Sequence, residues 1–85
     1  MLDREYIWII GASEGIGAEL AHAWAKCGAR LVLSARSSTR LQELAATLGA
    51  DHIVVPLDLA DRASIDAAAA QIAKLGPIDR VINMA

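Results

Sequence analysis

The sequence predicts an α/β fold in which four parallel strands alternate with three helices, in the order βαβαβαβ. Short continuous apolar runs recur along the chain, helical apolar spacing fills the stretches between them, and glycines stand at several junctions. Continuous apolar runs are typical of parallel strands, because both faces of such strands are covered. Alternating elements of this length are joined by right-handed helical crossovers in a single parallel sheet.

The first strand and helix are predicted on either side of a glycine-rich turn. Residues 6–10 form the apolar run Tyr-Ile-Trp-Ile-Ile, which ends at Gly11. Helical spacing follows over residues 15–27, and Gly28 stands where a C′ glycine ends a helix. The apolar stripe of this helix is predicted to consist of Ile16, Leu20, Ala23, Trp24 and Cys27.

The second strand is predicted over residues 31–35 and the second helix over 37–48. Thr39 and Gln42 have the spacing of a capping box, and Gly49 follows the last apolar position of the helix.

The third strand, the third helix and the fourth strand complete the pattern. Residues 52–57 predict a strand in which Pro56 lies near the end or on an edge, because proline cannot donate to a ladder. Asp61 is predicted to cap a helix that a Gly-Pro pair at 76–77 ends. Residues 81–83 begin the fourth strand.

A doubly wound sheet that starts in this way has the strand order 3-2-1-4. The prediction is therefore the N-terminal half of a Rossmann-like three-layer α/β fold. The strand order reverses between the first and fourth strands, and ligands of such sheets bind in the crevice at the carboxyl ends of those strands.

Composition excludes several classes of function. The chain has 85 residues, enough for one small domain, and 8 Lys and Arg against 10 Asp and Glu give a net charge of −2. This balance gives no reason to expect nucleic acid or an anionic membrane as a partner. Cys27 is the only cysteine, the charged residues 3–5 do not predict a secretory signal, and the apolar runs are too short to predict a membrane span. We expect a cytoplasmic protein without a metal site, since the two histidines have no clustered acids or thiols.

The turn after the first strand has the spacing of a phosphate-binding loop. Gly11 allows the chain to turn sharply, Gly15 allows a diphosphate to approach the backbone, and Gly17 allows close packing of the helix. The helix N-terminus then offers free N–H groups to the phosphates. The alternative is a tight strand-to-helix turn that binds no ligand.

The end of the second strand indicates which dinucleotide is bound. An acid at this point binds the 2′-hydroxyl of the adenosine ribose, whereas a nearby arginine accommodates a 2′-phosphate. The strand ends Ser-Ala-Arg, with no acid, and Arg36 is therefore expected to favour NADP over NAD. The alternative for Arg36 is a solvated surface arginine, which is the preferred interpretation of Arg40. Ser37 or Ser38 could add a hydroxyl donor.

Four segments together resemble the short-chain dehydrogenase/reductase family over residues 6–85. Residues 11–17 match its GxxxGxG loop, 34–36 its NADP-preferring strand end, 58–59 its Asp-hydrophobic pair, and 82–85 the start of its Asn-Asn-Ala-Gly segment. The resemblance implies a cofactor site formed by Gly11, Ser13, Glu14, Gly15, Ile16, Gly17, Arg36, Asp58, Leu59, Asn83 and Ala85.

The resemblance also implies individual roles. Asp58 would accept from the adenine amino group, the Leu59 amide would donate to an adenine ring nitrogen, and Asn83 would lie against a cofactor ribose. The alternatives are a turn or capping role for Asp58 and a strand-end amide that joins loops for Asn83. Ile10 and Met84 replace a usual Thr and Asn, which predicts an apolar junction between the first and fourth strands. Glu14 stands where NADP-preferring members often carry a basic residue.

By the same resemblance, the parent protein is expected to be an NADP-dependent oxidoreductase that transfers hydride between the nicotinamide and a small carbonyl or alcohol substrate, as a homo-oligomer. Residues 1–85 would supply its dinucleotide-binding segment and would be inactive alone. The family's catalytic Ser and Tyr-x-x-x-Lys pair have no match here, where Tyr6 is the only tyrosine. The alternatives are a non-catalytic NADP-binding or regulatory module and an association fragment completed by another chain. Arg36 argues against a methyltransferase, which usually has an acid at that strand end.

Overall fold

The computed structural model describes residues 5–13, 15–49 and 52–84. Within them the predicted alternation of strands and helices is confirmed. The elements are β1 (Tyr6–Ile10), α1 (Gly15–Lys26), β2 (Arg30–Ser34), α2 (Ser38–Leu48), β3 (Ile53–Val54), α3 (Arg62–Leu75) and β4 (Arg80–Asn83).

The strands form one parallel sheet in the order β3-β2-β1-β4, as predicted. In the register, Ile10 at the end of β1 is the partner of both Ser34 on β2 and Asn83 on β4. The carboxyl ends of these three strands therefore lie side by side. The turns that leave them, and the helices that follow, are consequently gathered at one edge of the sheet.

β3 is shorter than predicted, but its backbone continues to bond with β2 beyond Val54. The Val55 N–H donates to the Leu33 carbonyl at 2.9 Å, and the Leu57 N–H donates to the Ala35 carbonyl at 3.0 Å. Pro56 lies between these two donors on the edge strand, where its missing N–H takes no bond from the neighbouring strand. This placement confirms the prediction for Pro56.

The core has two layers, one on each face of the sheet, which makes the fold three-layered. Alternate residues of the central strands, including Ile7, Ile9 and Leu31, are fully buried in the cluster that α1 and α2 cover. Val32 and Val55 belong to a second cluster with Ala68 of α3. The central strands are covered on both faces, which explains why their sequences are continuous apolar runs.

The predicted helix ends at Gly28, Gly49, Asp61 and Gly76 are confirmed, and the predicted start of α2 is not. After α1, Gly28 has φ 93°, its N–H donates to the Ala25 carbonyl, and the Ala29 N–H donates to the Trp24 carbonyl, which is a Schellman ending. The Asp61 carboxylate caps α3 by accepting from the Ala63 N–H at 3.0 Å.

The prediction that Thr39 and Gln42 form a capping box is wrong. α2 is capped by Ser37, whose hydroxyl accepts from the Arg40 N–H at 3.3 Å. A hydroxyl two residues earlier than predicted takes the role. Ser37, Ser38 and Thr39 all carry the hydroxyl that a cap needs, so residue type alone does not choose among them.

The buried face of α1 is also rotated from the predicted stripe. Gly17 and Ala21 are the buried residues, Trp24 packs beside them, and Ile16 is 63% exposed. The smallest residues face the sheet because the helix axis can then approach it closely. Cys27, predicted to lie in the core, is half-buried. Among the described residues, no helix has the length and apolar character needed to cross a membrane.

Candidate functional site

An open cleft of about 810 Å³ lies at the carboxyl edge of the sheet. Binding sites for small molecules and cofactors commonly have volumes of about 300–1,000 Å³. The cleft is lined by Ile10, Gly11, Ser13, Ala35, Arg36, Ser37, Arg40, Leu57, Asp58, Leu59, Ala60 and Met84. These residues come from the ends of all four strands or from the segments that follow them, so the sheet order itself creates the cleft.

The glycine-rich turn is held at one side of the cleft by β2. Gly11 has φ 84°, a conformation that other residues rarely adopt. The N–H groups of Gly11 and Ala12 both donate to the Ser34 carbonyl, at 2.7 and 3.1 Å. The turn is therefore fixed to the end of β2 as well as to the end of β1, which it follows.

Gly17 lies directly beneath the turn. A Cβ built at this position would fall inside contact distance of the Gly11 carbonyl oxygen and 3.2 Å from the Ala12 Cα. Gly15, with φ 62°, has no atom within 4 Å of its Cβ position and is exposed. The geometry confirms the close packing predicted at Gly17, and the backbone at Gly15 is open.

The two helices that cover the same face of the sheet, α1 and α2, both begin at its carboxyl edge, near the cleft. α1 begins at Gly15 and α2 at Ser38, and neither has an acidic residue in its first turn. The first N–H groups of a helix have no partner within the helix, and the N-terminal end of its dipole is positive. Both ends thus favour negatively charged groups, and phosphate is the typical ligand of such positions.

The far side of the cleft is basic. Arg36 and Arg40 both line it and both are exposed, with half-buried Ser37 between them. Among the described residues, none forms a hydrogen bond or ion pair with the Arg36 guanidinium. Ala35, which precedes Arg36, is small and leaves room beside the guanidinium. Arg40 is exposed, as its interpretation as a solvated arginine requires, and it is also among the residues that line the cleft.

Asp58 and Leu59 form the wall that follows β3. The Asp58 N–H donates to the Ser64 hydroxyl at 2.9 Å, and its Oδ1 accepts from the Ala60 N–H at 3.0 Å. Asp58 therefore holds a turn with one carboxylate oxygen while it lines the cleft. Leu59 is 48% exposed and offers apolar surface to the cleft that it lines. Leu57 and Ala60, which flank this pair, also line the cleft and were not predicted from the sequence.

The junction of β1 and β4 closes the cleft from below. The Met84 N–H donates to the Ile10 carbonyl at 2.7 Å, which extends the ladder between the two strands. Both side chains line the cleft, in agreement with the apolar junction predicted here. Asn83 is exposed at the end of β4 and is not among the lining residues. Glu14 and Ala85 lie outside the described residues.

The described residues contain no cluster of His, Cys, Asp or Glu that could hold a metal ion. His52 instead accepts a hydrogen bond from the Leu31 N–H through Nδ1 at 3.2 Å, far from the cleft at the amino end of β3. The arrangement at the cleft thus combines two arginines with the N-termini of two helices. It is suited to an elongated ligand with phosphate groups at two points.

A protein-family model described as short chain dehydrogenase matches residues 5–85 of this sequence. The chain belongs to the short-chain dehydrogenase family. It is 40% identical over 85 residues to the dehydrogenase/reductase SDR family member 7 of the mouse (Mus musculus), and the match covers 91% of this chain and 25% of the mouse protein.

Solved structures show the same relationship. A 3-ketoacyl-(acyl-carrier-protein) reductase from Brucella melitensis, complexed with NADH, is 30% identical with a TM-score of 0.85, over 95% of this chain and 34% of that one. L-sorbose reductase from Gluconobacter frateurii, complexed with NADPH and L-sorbose, is 34% identical with a TM-score of 0.87, over 98% of this chain and 34% of that one. The short-chain dehydrogenase described here thus spans a quarter to about a third of the length of these relatives.

Proposed function

We propose that the intact protein is an NADP-dependent oxidoreductase that transfers hydride between the nicotinamide and a small carbonyl or alcohol substrate. In this proposal residues 1–85 are its dinucleotide-binding segment. Membership of the short-chain dehydrogenase family supports the reaction class. The two relatives complexed with NADH and NADPH support a nicotinamide dinucleotide as the cofactor.

The preference for NADP is carried by one observation, the basic far side of the cleft. Arg36 lines the cleft without a partner among the described residues, and the strand before it ends without an acid. A guanidinium presents several N–H donors in a planar fork that matches phosphate oxygens. The adenosine 2′-phosphate would be bound by Arg36, with Arg40 and the Ser37 hydroxyl as further candidates.

The remainder of the dinucleotide would follow the cleft to the glycine turn. The diphosphate would lie over Gly11, Ser13 and the start of α1, where the open backbone at Gly15 leaves space. The adenine would pack against Leu59, with the free carboxylate oxygen of Asp58 as an acceptor for its amino group. Glu14, Ile16, Gly17, Asn83 and Ala85 remain proposed members of the same site.

The residues of this chain would bind and orient the cofactor. The nicotinamide would supply or accept the hydride, and general acid–base chemistry would come from side chains outside residues 1–85. This division is proposed because Tyr6, the only tyrosine of the chain, lies at the amino end of β1, away from the cleft. The exposed Ile16 and Met84 would offer apolar surface near the reacting end of the cofactor.

Substitution of Arg36 tests the cofactor preference. In the intact protein Arg36→Ala should raise the Kd for NADPH by about 10- to 100-fold, the loss of one or two charge-assisted hydrogen bonds, and leave the Kd for NADH within about twofold. Arg62→Ala is the matched control, since Arg62 is an exposed arginine outside the cleft whose partner is Asp66. Equal changes for NADPH and NADH in Arg36→Ala would refute the assignment of Arg36 to the 2′-phosphate.

A further inference from the structure

One partly buried hydrogen bond joins the two central strands just below the cleft. The indole N–H of Trp8 on β1 donates to the hydroxyl of Ser34 on β2 at 2.8 Å. Ser34 is fully buried and is the one polar residue among the buried residues of the described core. Its neighbours on that face, Val32 and Val55, are apolar. An apolar side chain at position 34 would fill the same space, so packing alone does not account for a hydroxyl there.

The same residue fixes the glycine turn through its main chain. The Ser34 carbonyl accepts from the N–H groups of Gly11 and Ala12, at 2.7 and 3.1 Å. Ser34 also immediately precedes Ala35 and Arg36, which line the opposite side of the cleft. The position of Ser34 therefore determines two things at once, the place of the turn and the point from which Arg36 departs.

We propose that Trp8 and Ser34 are positioning residues that set the separation between the glycine turn and Arg36. Their bond restrains the end of β2 against β1, because the fully buried Ser34 hydroxyl is costly to leave unpaired and the indole N–H of the half-buried Trp8 is its partner. A dinucleotide that is held at the turn and at Arg36 depends on this separation. A ligand that is held at Arg36 alone does not.

This inference rests on the proposed function, since it takes Arg36 as the site of a 2′-phosphate. Its test compares two probes in the intact protein. NADPH would contact both anchors, whereas adenosine 2′-monophosphate has no diphosphate to reach the turn. Loss of the Trp8–Ser34 bond should weaken the binding of NADPH and leave the binding of adenosine 2′-monophosphate unchanged. A general loss of stability would not separate the two probes in this way.

The variants are Ser34→Ala, Trp8→Phe and the double substitution. Each single variant should raise the Kd for NADPH by about fivefold, the equivalent of one net hydrogen bond, and change the Kd for adenosine 2′-monophosphate by less than about twofold. The double variant should be no weaker than the weaker single one, because both substitutions remove the same bond. Trp8→Phe keeps most of the aromatic volume and carries the test if Ser34→Ala fails to fold.

Val55→Ala is the matched control. Val55 is fully buried in the same cluster as Val32, but within the described part of the chain it forms no hydrogen bond with Trp8, Ser34 or the glycine turn. Truncation of its side chain should therefore lower the stability of the protein and leave the ratio of the two Kd values unchanged. Equal weakening of both probes in Ser34→Ala, no weakening of either, or additive effects in the double variant would overturn the positioning role. If the unmodified protein binds NADPH no better than NADH, the proposed function fails before any variant is considered.

Discussion

Gly17→Ala places a methyl group where α1 meets the glycine turn. The added Cβ would lie inside contact distance of the Gly11 carbonyl oxygen, 3.1 Å from the Gly11 carbonyl carbon and 3.2 Å from the Ala12 Cα. All three are backbone atoms, so no side chain can rotate away to make room. Either the start of α1 or the turn would have to move by roughly 1 Å to restore ordinary contacts of about 3.5 Å.

The expected cost follows from two opposing effects. Alanine is favoured over glycine inside a helix by about 1 kcal/mol, whereas overpacking of a closely packed site costs about 1–3 kcal/mol. We expect a net loss of up to roughly 2 kcal/mol in the free energy of unfolding. The turn that moves is also the proposed diphosphate site, so the Kd for NADPH should rise by about tenfold or more, in line with the cost of small misplacements in binding sites.

Urea denaturation and NADPH titration of the intact protein measure the two effects. Gly49→Ala is the control, because Gly49 ends α2 at the opposite edge of the sheet, with φ 111° and no atom within 4 Å of its Cβ position. It should lose about 1–3 kcal/mol through backbone strain and keep its affinity for NADPH. A Gly17→Ala protein with unchanged stability and unchanged affinity would refute the close packing of α1 on the turn.

Three further substitutions test the fold. Asp61→Ala should cost about 1 kcal/mol in the free energy of unfolding because α3 loses its cap, whereas Asp61→Asn should cost little; equal losses in urea denaturation would contradict the capping role. Ile9→Ala should cost about 2–5 kcal/mol, since Ile9 is fully buried on the face of the sheet that α1 and α2 cover, and a loss below this range would place it outside the core. Arg80→Ala should cost less than about 1 kcal/mol, because its ion pair with Glu5 is partly exposed, and a larger loss would show that the pair is protected from solvent.

The fold could be predicted almost completely, because its central strands are buried on both faces and its helices are separated by strong turn signals. The strand order and the parallel direction follow from the alternation of elements and the handedness of crossovers. The Gly28 ending and the Asp61 cap are local features that depend on one or two residues, and both are present. Pro56 is placed correctly for the same reason, since its missing donor restricts it to an edge.

The errors fall where local sequence offers several equivalent choices. α1 is rich in alanine, so several faces of the helix are nearly equally apolar. The face that carries Gly17 is buried because the absence of a side chain there lets the helix pack most closely on the sheet. The start of α2 offers Ser37, Ser38 and Thr39 as caps, and only tertiary geometry distinguishes them.

The cleft was predicted from its motif residues but not from its apolar walls. Leu57 and Ala60 line it because they flank the Asp58 turn, and nothing in their residue types indicates a ligand. The Trp8–Ser34 bond joins positions 26 residues apart. A tryptophan in an apolar run does not indicate which residue its indole N–H will donate to. Contacts between strands of this kind become visible only when the register is known.

Amide hydrogen exchange of the intact protein, with and without saturating dinucleotide, shows whether one ligand spans the cleft from the glycine turn to Arg36. NADPH should slow exchange both at residues 11–17 and at residues 36–40, whereas NADH should slow exchange at the turn and have less effect around Arg36. Binding of NADPH that leaves both segments unchanged, or that protects them no differently from NADH, would contradict the proposed site and its preference for a 2′-phosphate.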